Sequence, residues 1–401
     1  MKTKVVSSVV LENAYVLEHD RVATRPLVFA AGRIVDAPTE DSLRVDVRNH
    51  FIVPGFINAH EHLHLNNVPS LGHTEAFPNS YAWIDAFEAH LRDPEVLAAT
   101  GVSSEDRHWH GGLKNLLAGV TTVAHHDPWH SVLSDPAFPV GVLQDCGWSH
   151  SLGLGTPRGD GPRYGPAVVQ SFRATPAAHV WVIHLAEGTD HVAASELTQL
   201  DTQGCLASKT VLVHGVGLTG SDVERVIETG AAVVWCPASN LEMLGRTIDR
   251  GTLRRLFDAG RLTLGSDSRL TGSRDLLDEL RVASLHSDLS PRELLRLVTR
   301  DAARILRLPD RGALDADERA DCAIVRAGGD PYRSFLDASR ADIRAVVRGG
   351  APVVADPDFA EWFAHCGVEV TRMRLDGRPK LMARPLARSS AIALEPGLEI
   401  M

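Results

Sequence analysis

The 401-residue sequence predicts an α/β fold: a (β/α)8 TIM-like barrel joined to a small β-sandwich made from the two ends of the chain. Three observations carry that reading. The first fifty residues alternate short β-rich runs with turn signals, at Val5 to Val10, Ala14 to Leu17, Leu27 to Ala30, Arg33 to Val35 and Leu43 to Val47. From Pro54 onward short apolar strands alternate with helical patterns over about 250 residues, the signature of βα units. After Leu308 the β signals return, at Cys322 to Arg326 and Ile343 to Arg348, so the C-terminal strands are expected to complete the N-terminal β unit. The expected division is therefore a discontinuous sandwich, residues 1–53 and 310–401, around a barrel at 54–309.

Within the barrel the strand candidates are Gly55 to Ala59, Val120 to Ala124, Val140 to Leu143, Val180 to Leu185, Thr210 to Val213, Ala231 to Trp235 and Leu262 to Gly265. That is seven, one short of a barrel. The shortage falls between Pro128 and Ala178, a Gly- and Pro-rich segment in which a strand is expected to be irregular or missing. Helical patterns fill the intervals at Arg107 to Ala118, Ser221 to Thr229, Leu253 to Ala259, Asp275 to Ser284 and Pro291 to Leu306. The last opens with Ser290 as N-cap, Pro291 in the first turn and Glu293 at the positive end of the helix dipole.

Composition excludes several functions. A formal charge of −10 leaves no electrostatic footprint for nucleic acid or an anionic membrane. No apolar run approaches the roughly 18 residues of a membrane span, and Met1 to Val10 lacks the apolar core of a signal peptide. Five scattered cysteines form no Cys-x-x-Cys pair, which favours a reducing, cytoplasmic setting over a disulfide framework. Two imbalances stand out: 19 histidines, and only five lysines among 41 basic residues.

The histidines fall where a barrel does chemistry, at the C-terminal ends of strands. Ala59-His60-Glu61-His62-Leu63-His64 follows the first strand, and residues two apart on an extended chain point the same way, so His60 and His62 can face one ion. Later apolar strands end in His184 (with Glu187 three residues on), in His214, in the polar turn Cys236-Pro237-Ala238-Ser239-Asn240, and in Asp267. Four successive strands that each end in a costly polar group are poorly explained as core filling.

This ordered set resembles the amidohydrolase superfamily, and within it the aminohydrolases that include guanine, cytosine and 8-oxoguanine deaminases and triazine hydrolases. Pro54 to His62, Gly119 to Val123, His184 to Glu187, His214, Cys236 to Asn240 and Leu264 to Asp267 carry the resemblance, which spans roughly residues 5 to 355. It implies that His60, His62, His184 and Asp267 bind one divalent metal, that His214 orients water or substrate, and that Glu187 and Asp267 move protons. Three imidazoles and a carboxylate suit zinc first and iron(II) second, and such an ion brings the pKa of water toward neutrality. Binuclear relatives bridge two ions with a lysine at a middle strand end. Here Lys114 lies in an expected helix and Lys209 at a strand start, so one ion is expected.

A second group, His125-His126-Asp127-Pro128-Trp129-His130, follows the second strand and faces the same mouth, with His126 the expected substrate contact. His64, Ser239 and Asn240 are also expected on the substrate side. His108 and His110 lie two apart on a helix and do not share a face. Trp83, Arg158, Arg163, His126 and Arg269 are expected to set pocket polarity, an arginine there implying an acidic substrate group. The expected activity is hydrolytic deamination of an aminated heterocycle or amidine-like small molecule. The alternatives are hydrolysis of a cyclic amide, imidazolone-like ring or N-acyl group, and a catalytically silent scaffold. A homodimer is expected.

Overall fold

The computed structural model describes residues 8–18, 21–73, 75–154 and 164–401. Arg158, Arg163 and the start of the strand expected at Val5 lie outside the described residues. Eight short strands build a TIM-barrel-like α/β core: β1 (Phe56–Asn58), β2 (Val120–Val123), β3 (Gly141–Val142), β4 (Cys146–Trp148), β5 (Val180–Leu185), β6 (Thr210–His214), β7 (Ala232–Trp235) and β8 (Leu262–Leu264). They form two parallel arcs, β3-β2-β1 and β4-β5-β6-β7-β8. The arcs meet at β1 and β8, where the Ala59 amide donates to the Leu264 carbonyl at 3.2 Å and the Asp267 amide to that of His60 at 3.1 Å. At this seam a Cβ on Gly265 would fall 2.7 Å from the His60 backbone nitrogen, so glycine is what lets the strand ends close up. β3 and β4 belong to different sheets, and the ladder is not continuous around the ring.

β4 is the strand that the sequence did not reveal. It has three residues, pairs Cys146 with Val180 and Trp148 with Val182, and carries Gly147 at its centre. A side chain there would collide with Thr175, since a Cβ would sit 1.7 Å from its hydroxyl, so close packing removed the β-branched residue that would have marked the strand. The long strands were legible because parallel strands covered on both faces read as unbroken apolar runs; every residue of β5 and β6 is buried.

Four helices position the site: α1 (Ser80–His90), α2 (Ser104–Leu117), α3 (Pro237–Leu244) and α4 (Leu276–His286). The Asn79 side chain caps α1 by accepting from the Ala82 amide at 3.0 Å. α2 is buried from His108 to Leu117 and presses on the turn Leu63–Leu65; a Cβ on Gly111 would lie 2.1 Å from the Leu63 carbonyl oxygen. The polar turn expected at 236–240 is the first turn of α3, with Pro237 leading it. The single helix expected over Pro291 to Leu306 is two, Pro291–Leu297 and Arg300–Ile305, broken at Thr299, whose backbone leaves helical angles while its hydroxyl donates to the Leu295 carbonyl.

Beside the barrel, a nine-stranded sheet interleaves both ends of the chain. Cys322–Arg326 pairs antiparallel with His50–Pro54, Ile324 opposite Ile52. A four-stranded sheet containing Val9–Glu12 and Leu27–Ala30 packs on it across a shared core of Val9, Leu11, Phe29, Ile52, Ile324 and Trp362. No helix among the described residues is long and apolar enough to cross a membrane.

Candidate active site

The strand ends bring three imidazoles and a carboxylate to one point. His62 Nε2 lies 3.3 Å from His184 Nε2, and Asp267 Oδ1 is 3.7 Å from both His60 Nε2 and His62 Nε2. The four side chains are buried, and His60 Nε2 has no hydrogen-bond partner. The opposite ring nitrogens are engaged: His62 Nδ1 sits 2.5 Å from Asp127 Oδ2, and His184 Nδ1 lies 2.8 Å from the His150 carbonyl oxygen. A proton held at Nδ1 by these acceptors leaves each Nε2 lone pair aimed at the centre, the tautomer a metal ligand needs.

Electrostatics agree for His60 and His184 and differ for His62. Burial pushes His60 well below its ordinary range and His184 down to about 4, so both are neutral. Burial also opposes charge on His62, but Asp127 beside it prevails and lifts it to about 9, so His62 is protonated near neutrality and an ion would take its Nε2 by displacing that proton. Asp267 is desolvated, yet the neighbouring His60 and His62 hold its carboxyl well below the usual carboxylate range. The Ser239 hydroxyl donates to Asp267 Oδ2 at 2.8 Å and the Ser268 amide to Oδ1 at 2.8 Å, fixing its orientation.

Next to this ring, His214 Nε2 lies 3.2 Å from Glu187 Oε1, and His214 Nδ1 lies 2.9 Å from Asn240 Oδ1. Burial pushes Glu187 up to about 7, so near neutrality the carboxyl can hold a proton or release it. Ala186, His214 and Asp267 take left-handed backbone angles, φ of 54°, 77° and 54°. Each costs about 1–3 kcal/mol for a residue with a Cβ, and three such turns at the ends of β5, β6 and β8 gather where the polar groups converge.

A cavity of about 330 Å³ opens over the ring. His62, His184, Glu187, His214 and Asp267 reach it from the floor; Trp83, Ile84 and Phe87 of α1, with Leu65 and Leu270, give it an apolar wall. Trp83 and Phe87, one helical turn apart, stack at 5.2 Å with nearly parallel rings. Among the described residues, no lysine or arginine lines it.

Several expected roles change in three dimensions. His64 lines the cavity, but His126 does not: it is buried behind the ring, its Nδ1 3.2 Å from His60 Nδ1. Ser239 and Asn240 also lie beneath the cavity, because α3 turns them inward onto Asp267 and His214. Arg269 is turned away, both guanidinium nitrogens on Glu395 at 2.8 and 2.9 Å, so it supplies no charge to the pocket. His110 also meets Glu395, at 2.8 Å.

Three supporting residues went unread in the sequence. Asp127 orients His62, and its signal was a carboxylate directly after His126. The His150 carbonyl orients His184, and a backbone group leaves no signal. Glu61 faces the side opposite His60 and His62, where Lys114 Nζ donates to it at 2.8 Å, Ser266 Oγ at 2.9 Å and Asn66 Nδ2 at 3.1 Å. The alternation that paired the histidines placed Glu61 on that other side.

At the C-terminal ends of these parallel strands, metal-type donors gather beside a Glu–His pair. Residues 173–353 match the amidohydrolase family. It is 26% identical over 201 residues to a 5-methylthioadenosine/S-adenosylhomocysteine deaminase from Pyrococcus abyssi, an alignment covering 44% of this chain and 47% of the relative. The chain thus spans about half the length of that relative. Against an 8-oxoguanine deaminase from Pseudomonas aeruginosa it is 26% identical over 412 aligned positions, covering 82% of the chain and 89% of the relative. The fold superposes on an adenosine deaminase from Xanthomonas campestris, solved with bound zinc, with a TM-score of 0.69, 20% identity, and coverage of 90% and 97%.

Proposed function

We propose that this chain is a metal-dependent hydrolase of C–N bonds that deaminates an aminated, planar heterocycle. The observation that carries the reading is the convergence of His60, His62, His184 and Asp267 beneath a cavity that also holds Glu187 and His214. These four residues would hold a divalent ion, with zinc the favoured occupant and iron(II) the second. The donor set fits: two imidazoles are tautomerically preset, His60 Nε2 is buried without a partner, and the carboxylate is anchored by Ser239 and Ser268. When bound, such an ion supplies Lewis-acid activation of water and of a polarised C=N or C=O carbon.

The chain's own residues then manage protons and orientation. His126 can accept the Nδ1 proton of His60 across 3.2 Å, which frees His60 Nε2 as a ligand. Asp267, buried and anionic, accepts a proton from water as it attacks. Glu187, which burial raises to about 7, delivers its proton from its protonated form to a ring nitrogen or the leaving amine, which is general acid work. His214, with Nδ1–H donating to Asn240, keeps Nε2 turned to Glu187 and to the substrate. The Trp83–Phe87 wall and the lack of a lysine or arginine among the described lining favour an uncharged aromatic ring.

The relatives are, by name, deaminases of adenosine-type compounds and of 8-oxoguanine, which supports the same bond choice. The reading extends to a barrel at 54–309 with a sandwich from 1–53 and 310–401, supported by the pairing of Cys322–Arg326 with His50–Pro54. It extends also to a cytoplasmic homodimer acting on a small molecule, the compartment supported by five unpaired cysteines. The test is ammonia release by metal-replete protein across aminopurines, their nucleosides and aminotriazines. Deamination predicts ammonia in step with substrate loss. Substrate loss without ammonia would replace this reading with amide or ring hydrolysis.

A further inference from the structure

We propose a second divalent metal site, separate from the first, formed by His64, His108 and His125. One ring nitrogen from each lies within 4.8 Å of the others. The rings enclose a common space: His64 and His108 are stacked at 5.3 Å, and His125 meets them edge-on at 5.9 and 5.6 Å. His125 is fully buried and His108 nearly so, while His64 reaches the cavity.

On two of these rings one nitrogen, His125 Nε2 and His64 Nδ1, is buried with no hydrogen-bond partner. Buried polar atoms are rarely left so, and an imidazole lone pair in that position lacks either a donor or an ion. The third ring is prepared for the same role. His108 Nδ1 lies 2.6 Å from the Ser104 carbonyl oxygen; His125 Nδ1 lies 3.1 Å from that of Glu61 and also 3.3 Å from the Leu63 amide, which donates to it in the other tautomer. Carbonyl acceptors at Nδ1 hold the proton there and leave Nε2 free, the outer support usual for metal-bound histidine.

Charge and connectivity strengthen the case. Asp127, which orients His62 of the first centre, also lies 3.9 Å from His64 Nδ1 and 3.7 Å from His125 Nδ1, so one carboxylate sits between the two histidine groups. His130 stacks on His108 at 4.9 Å and closes that side. The three donors come from the turn after β1, from α2 and from the loop after β2, so an ion there would tie together the elements that seat His60 and His62. Three imidazoles suit zinc or a neighbouring late transition ion, with a fourth position open toward the cavity through His64.

The experiment is metal stoichiometry. The full chain is stripped with chelator, reloaded with zinc(II) alone, freed of excess metal and analysed by mass spectrometry. About two equivalents per chain are expected, one for each three-imidazole set. His108→Gln with His125→Gln should lose one equivalent and keep the other; His60→Ala with His184→Ala should show the reverse, which separates failure of this site from failure of the first. Equal stoichiometry in the parent and the His108→Gln, His125→Gln chain would overturn the proposal. A measurement on the unaltered chain guards against misfolding: cobalt(II) titration should raise visible absorption in two phases. A single phase would overturn it as well.

Discussion

His60 and Glu61 are neighbours in the chain, both fully buried, and they face opposite sides of the same strand end. On the His60 side, among the described residues, His62 Nε2 and His184 Nε2 find hydrogen-bond partners only in each other, and His60 Nε2 is left bare. On the Glu61 side a carboxylate meets Lys114, Asn58, Asn66, Asn115 and Ser266, so its charge is balanced and its lone pairs are filled. Both regions are equally dry, so burial does not distinguish a site from a support. Completeness does: the satisfied cluster ties β1, α2 and the end of β8 together, and the other offers the donors that the proposed ion would take.

That contrast fixes what mutations should do. Replacing His60 and His184 with Ala should abolish activity and remove the ion, and in chelator-stripped protein should leave the thermal midpoint unchanged or higher, because it deletes a buried unpaired nitrogen; metal analysis with calorimetry checks both. Glu187→Gln should keep the metal and lower kcat by about 10²–10⁴-fold, the range for a general acid. The supporting side should fail differently. Lys114→Met leaves Glu61 charged and unpaired, and urea unfolding should show a loss of about 3–5 kcal/mol.

Smaller effects sharpen the comparison. Asp127→Asn removes the acceptor that sets His62, and zinc affinity measured with a competing chelator should fall about 10–100-fold with the fold intact. Glu279 is a buried carboxylate with no ion pair among the described residues, and burial pushes it up to about 7. Its folded form therefore keeps a proton that the unfolded chain releases near 4.5. The stability associated with that proton is present below about pH 4.5 and is lost as pH rises through 7. Glu279→Gln should flatten this dependence, gaining stability relative to the parent at pH 8 but not at pH 4, as read from urea midpoints.

Much of this arrangement was legible in the sequence. Parallel strands buried on both faces spell continuous apolar runs, so the polar residues ending β1, β5, β6 and β8 stood out. Direction was less legible than position. Ser239 and Asn240 read as substrate contacts, but α3 aims them down onto Asp267 and His214. Arg269 read as a pocket charge because its partner, Glu395, lies 126 residues away. Lys114 read only as a residue unfit to bridge two ions, since nothing local says that α2 carries it to Glu61. β4 was hidden because Gly147 traded strand propensity for contact with Thr175.

The central claim is that the bare nitrogens on the His60 side hold the catalytic ion. Anomalous diffraction at the zinc edge, from crystals of the reloaded chain, tests it most directly. The account predicts a peak about 2.0–2.2 Å from Nε2 of His60, His62 and His184 and from an oxygen of Asp267, with Glu187 and His214 outside bonding distance. A fully loaded crystal with no peak there, or with the ion held by His126 in place of Asp267, would contradict it.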